Sequence, residues 1–131
     1  MFDLKTRVLV VDDMSTMRKI VSKSLKNIGF TDIIDAADGV QAFTALQSSE
    51  IPVGLIVSDW NMPNCTGLEF LKRVRASNYK DVAFVLLTAE SEIEQVKEAV
   101  AAGVDNYIVK PFTPAVLQQK LEETHKRRTA A

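Results

Sequence analysis

A single cysteine, Cys65, excludes an internal disulfide, so packing must hold this fold together, and a reducing, cytoplasmic location is expected. No apolar run approaches the roughly 20 residues that cross a bilayer. None follows Met1-Phe2-Asp3-Leu4-Lys5 either, so neither membrane association nor a secretory signal is expected. Charge of one sign is also missing. Lys and Arg number 16 against 17 Asp and Glu, a net charge of −1, which gives no positive field for nucleic acid. The basic end, His125-Lys126-Arg127-Arg128, is short and suits the negative end of a helix dipole. With five glycines and four prolines, no repeat and no low-complexity stretch, the chain reads as one domain over residues 1–131. A monomer without an output domain is expected.

What the sequence does contain is alternation. Arg7-Val8-Leu9-Val10-Val11 is almost wholly apolar, as a strand buried on both faces should be. Met17, Ile20, Val21, Leu25 and Ile28 then recur at helical spacing, with Gly29 as the C-cap. A weaker strand runs from Asp32 to Ala36. Asp38 caps the next helix, with Gln41 three residues on. Val53 to Ser58 forms a central strand ending at Asp59. Thr66 and Glu69 form a capping box, Val82 to Leu87 a fourth strand, and Ser91 and Glu94 a second capping box. That helix sets Ile93, Val96 and Val100 on one face and stops at Gly103. Tyr107-Ile108-Val109 is a fifth strand, and Thr113 caps a helix with Pro114 at its first position. The pattern predicts an α/β fold of (βα)5 type, a doubly wound parallel sheet.

The unusual polar residues fall where strands stop: Asp12 and Asp13 after the first, Asp59 after the third, Thr88 at the end of the fourth, Lys110 after the fifth. In a parallel sheet those points share one edge, the edge that holds ligands in open α/β folds. Each residue alone has a plainer reading: Asp13 as a helix cap, Lys110 as a solvated loop residue, Thr88 as a β-branched strand residue. Their joint placement is harder to attribute to capping. Three crowded carboxylates repel, and a hard, partly hydrated cation such as Mg²⁺ relieves that repulsion. It would also admit an anionic phosphate, with Lys110 supplying a second positive charge and Thr88 a hydroxyl donor.

These motifs resemble the receiver domains of response regulators, those of chemotaxis in particular. The stretches that carry the likeness are Asp12-Asp13-Met14-Ser15-Thr16-Met17-Arg18, Ser58-Asp59-Trp60-Asn61-Met62-Pro63-Asn64, Thr88-Ala89-Glu90 and Asn106 to Thr113. The resemblance implies a flavodoxin-like sheet of strand order 2-1-3-4-5. It implies Asp59 as the phosphoacceptor, charged by the phosphohistidine of a histidine kinase. Asp12, Asp13, Asp59 and the backbone carbonyl of Asn61 would hold Mg²⁺, and Thr88 and Lys110 would contact the phosphoryl oxygens. Asn61 and Glu90 would set the phosphate lifetime, and the Lys110-Pro111 bond would be cis. Thr88 and Tyr107 would form the switch. Output would pass through the helix 4–strand 5–helix 5 face, with Ile93, Val96, Val100, Tyr107 and Lys120 contributing, to a flagellar motor switch protein.

Such a domain is not expected to be an enzyme with an external product. A phosphorelay carrier is the main alternative. A Mg²⁺-dependent aspartyl-phosphate phosphatase fits poorly, since its nucleophile would follow the first strand in a D-x-D pattern. A flavin module would want a hydroxyl-rich first loop, and here that loop opens with two aspartates. Thr66 stands where close relatives often carry Asp, and either residue caps a helix. The acidic Ser91-Glu92-Ile93-Glu94 leaves the output partner open. Cys65 is expected as filler and His125 at the surface.

Overall fold

A computed structural model describes residues 1–89 and 94–130. Five strands alternate with five helices: β1 Arg7–Val11, α1 Ser15–Ile28, β2 Asp32–Ala36, α2 Gly39–Ser48, β3 Val53–Asp59, α3 Gly67–Arg75, β4 Ala83–Ala89, α4 Val96–Ala101, β5 Asn106–Lys110 and α5 Pro114–Thr129. The strands are all parallel, in the order β2-β1-β3-β4-β5.

Period-two alternation divides the core into two layers. Leu9, Val11, Ile56, Phe84 and Leu86 point to one side, where Phe43, Leu46, Phe70, Leu71 and Val74 of α2 and α3 and Ala99 of α4 cover them. Val8, Val10, Leu55, Val57, Val85, Leu87 and Ile108 point to the other, under Val21 and Leu25 of α1 and Leu117 and Leu121 of α5. The three central strands β1, β3 and β4 are therefore buried on both faces, and their hydrophobic runs follow from that.

The helix ends follow the capping chemistry. Asp38 accepts the Gln41 N–H at 2.8 Å. The Gln41 side chain reaches back to the N–H of Ala37, one residue beyond the cap. Thr66 and Glu69 make both bonds of a capping box. Thr113 caps α5, and Gly29 closes α1 at φ 126°. Three expectations change. Strand β4 runs to Ala89, so Thr88 lies inside it. Val82 precedes that strand. Val100 is 62% exposed, and Ala99 with Val96 forms the buried side of α4. Ser91 and Ile93 lie outside the described residues.

Candidate metal and phosphoacceptor site

Strand order reverses between β1 and β3, which makes the crevice at their C-terminal ends the natural ligand position. Asp12 follows β1 directly, and Asp59 is the last residue of β3. One carboxylate oxygen from each of Asp12, Asp13 and Asp59 lies within 4.8 Å of the others. Asp12 and Asp59 are buried, whereas Asp13 is exposed. Asp13 is no helix cap: α1 is preceded by Met14, whose N–H is taken by Asp12 Oδ1 at 2.9 Å.

Lys110 arrives from the far side. Its register partner on β4 is Ala89, which carries it level with the end of the sheet. Its Nζ donates to Asp59 Oδ1 at 2.6 Å. The peptide bond that follows, Lys110-Pro111, is cis. Thr88 is fully buried.

Two polar atoms here stand out. Among the described residues, Asp12 Oδ2 and Thr88 Oγ1 are buried without a hydrogen-bond partner. Buried polar groups are normally satisfied, so an orphaned pair at a sheet's ligand edge marks where a ligand supplies the missing contacts. Burial, reinforced by the charges of Asp59 and Asp13, pushes the Asp12 carboxyl up to about 6, against the lowering effects of the Met14 N–H and of Lys110. A carboxylate held so close to neutrality is receptive to a cation. Three hard oxygen donors, one with a free lone-pair site, fit a divalent ion of the Mg²⁺ or Ca²⁺ kind.

A family model described as the response regulator receiver domain matches residues 8–122. The chain belongs to that family. The receiver domain is 47% identical over 118 residues to a Campylobacter jejuni protein named chemotaxis protein CheY homolog, covering 89% of this chain and 90% of that one. It is 44% identical over 117 residues to chemotaxis protein CheY1 of Helicobacter pylori, with 88% and 94% covered. The structure of chemotaxis response regulator CheY4 of Vibrio cholerae superposes with a TM-score of 0.82 at 37% identity, over 92% of this chain and 98% of that one.

The receiver's other anticipated residues sit as follows. Asn61 is exposed, two positions beyond Asp59 in the loop to α3. Glu90 lies outside the described residues. Tyr107 pairs in register with Leu86, so it shares the sheet face of Leu86 and Thr88. It is half-buried, with Lys120 Nζ 5.5 Å from its ring centre. Cys65 is buried, and burial raises its thiol pKa, which is the opposite of activation. His125 is not fully at the surface: it is half-buried and packs edge-on against Phe2, outside the acidic cluster.

Sequence reasoning passed over Arg18. Its Nη1 donates to the Asp12 carbonyl at 2.7 Å and its Nε to Asp35 Oδ2 at 3.2 Å, tying the first acidic loop to the end of β2. Its place one turn into α1, just beyond the two aspartates, was the sequence signal that could have pointed to it.

Proposed function

We propose that this receiver domain is a Mg²⁺-dependent phosphorylation switch in a two-component chemotaxis system, acting in the cytoplasm. The observation that carries the reading is the Asp59–Lys110 pair inside a three-aspartate pocket with orphaned Asp12 and Thr88 oxygens.

Asp12, Asp13, Asp59 and the Asn61 carbonyl would hold the cation. When bound, Mg²⁺ offsets the carboxylate charge and that of the incoming phosphoryl group. The chain's own residues do the rest. An Asp59 carboxylate oxygen forms a bond to phosphorus as the phosphorus–nitrogen bond of a kinase phosphohistidine breaks; the imidazole departs with the electron pair and takes up a proton. Lys110 already stands against the acceptor and stabilises charge on the phosphoryl oxygens. Such transfers need positioning and charge neutralisation more than covalent help. Asn61 and Glu90 would govern access of water to the acyl phosphate.

Thr88 Oγ1 would then find its missing acceptor in the phosphoryl group, and movement of Thr88 would free Tyr107 to turn inward. Reversing a two-state population from about 1:99 to 99:1 takes roughly 5.5 kcal/mol. Hydrogen bonds to charged groups contribute about 1.5–3 kcal/mol each, so a phosphate reaching Lys110 and Thr88 supplies that order of energy. The output surface comprises the exposed side of α4, β5 and α5, with Val100, Tyr107 and Lys120 on it. A flagellar motor switch protein is the proposed partner, supported by the chemotaxis names of the relatives.

Trp60 provides the test, being the chain's one tryptophan and adjacent to Asp59. Mg²⁺ and then a small phosphodonor should each change its fluorescence, and the donor should raise affinity for a motor-switch peptide severalfold. Asp59→Asn should abolish both donor responses. A partner affinity indifferent to phosphorylation, alongside a normal Trp60 response, would remove the output reading and leave the switch.

A further inference from the structure

The loop that carries Asn61 is anchored to a neighbouring helix by residues outside the cation site. Asn64 takes a backbone φ of 68°, a region that Asn tolerates and β-branched residues avoid. Its Nδ2 donates to Asp38 Oδ2 at 3.3 Å. The other oxygen of the same carboxylate accepts the Gln41 N–H at 2.8 Å and caps α2. Asp38 is buried, so its two oxygens have distinct, fixed occupations. The next residue, Cys65, seats the loop further: a Cβ on Gly39 would lie 2.6 Å from its sulfur. At the upstream end, Trp60 N–H bonds Leu87 O at 3.0 Å and Gly67 N–H bonds Trp60 O at 2.8 Å. Residues 61–63 therefore span a gap between two fastened points.

We infer that Asp38 and Asn64 form a positioning pair that holds the β3–α3 loop, and with it the Asn61 carbonyl, in a conformation ready for the cation. The inference rests on the proposed Mg²⁺ site and extends it to residues outside the ligand set. A loop fixed beforehand loses less entropy on binding, so the anchor acts on affinity. Were Asn64 needed only for its backbone angle, glycine would serve equally well. Were Asp38 needed only to cap α2, serine would serve equally well.

Those two replacements make the test. Mg²⁺ binding is titrated by Trp60 fluorescence and independently by calorimetry in the wild type, Asn64→Gly, Asp38→Ser and the double variant. Each single change should weaken Mg²⁺ binding about three- to tenfold, the range of one lost hydrogen bond of ordinary net strength. The double variant should be no weaker than the worse single one, because both remove the same contact. Thermal midpoints, read alongside, should stay close to wild type. Unchanged affinity in either single variant, or losses that multiply in the double, would overturn the positioning pair while wild-type binding keeps the Mg²⁺ site standing. A wild type silent to Mg²⁺ in both measurements would overturn the site itself, and the pair with it.

Discussion

At the scale of single residues, the site's chemistry lies in the difference between neighbours. Asp12 is 1% exposed and Asp13 is open to solvent, although they are adjacent in the chain. Without metal, the Asp12 carboxyl sits at about 6 instead of its ordinary 3.8. A raised carboxyl pKa means that the folded state binds the proton more tightly than the unfolded one. Its favourable contribution is complete below 3.8 and is lost as the pH rises through about 6. That interval corresponds to about 3 kcal/mol. In chelator, urea stability should fall over that window, Asp12→Asn should flatten the slope, and saturating Mg²⁺ should remove it from the wild type. A slope unchanged in Asp12→Asn would assign it elsewhere. Thr88→Val makes a second prediction. Removing a buried, unpartnered hydroxyl should raise the urea stability of the unphosphorylated protein by about 1 kcal/mol, while the donor-driven affinity change is lost. A destabilised Thr88→Val would mean that the hydroxyl is already satisfied. Sequence pattern alone brought Asp12, Asp13, Asp59 and Lys110 to one edge, because each follows an apolar run. It carried no sign of which carboxylate is buried, since that depends on how the first loop folds over β1, where Arg18 holds the Asp12 carbonyl.

Secondary-structure elements set how rigidly that edge is presented. Helix α3 begins so close to the end of β3 that a Cβ on Gly67 would lie 2.3 Å from the Asp59 carbonyl oxygen and 3.1 Å from Trp60 Cα. Both obstacles are backbone and cannot rotate away. Gly67→Ala should therefore cost about 2–3 kcal/mol in urea unfolding and displace the acceptor strand enough to weaken Mg²⁺ binding. Wild-type stability in that variant would show that α3 can shift freely. Most elements were legible because their signals are local: Thr66 with Glu69, Thr113 with Pro114, and Gly29 after a periodic run all act within one turn. Helix α4 was the weaker reading. Val96 and Val100 share a helical spacing, yet only Val96 is buried, and Ala99 fills the space against the sheet. Over six residues, spacing cannot separate a core valine from one left on the outer side. The Asp38–Asn64 contact was likewise illegible, since it joins residues 26 apart through tertiary packing.

Across the whole molecule, the two ends of the sheet do different work. At the end opposite the acidic site, Asp105 accepts from Arg75 at 3.0 Å, from Arg128 at 2.8 Å and from the Phe84 N–H at 2.8 Å. Arg75 also donates to the carbonyls of Lys80, Val82 and Gly103. This network binds α3, β4, the turn after α4 and the end of α5 into one base. Asp105→Ala leaves partly buried cations unmatched and should cost about 3 kcal/mol, with Mg²⁺ affinity unaltered. A large loss of Mg²⁺ affinity in that variant would contradict the separation. The central claim concerns the other end: a cation and Lys110 allow a crowded acidic pocket to carry a covalent phosphate on Asp59. The most direct test is intact-mass spectrometry after incubation with a small phosphodonor, with peptide mapping of the product, in Mg²⁺ and in chelator. One added phosphoryl group on Asp59, formed in Mg²⁺ and absent in chelator, is the predicted result. A phosphoryl group mapped to any other residue, or one formed equally in chelator, would contradict it.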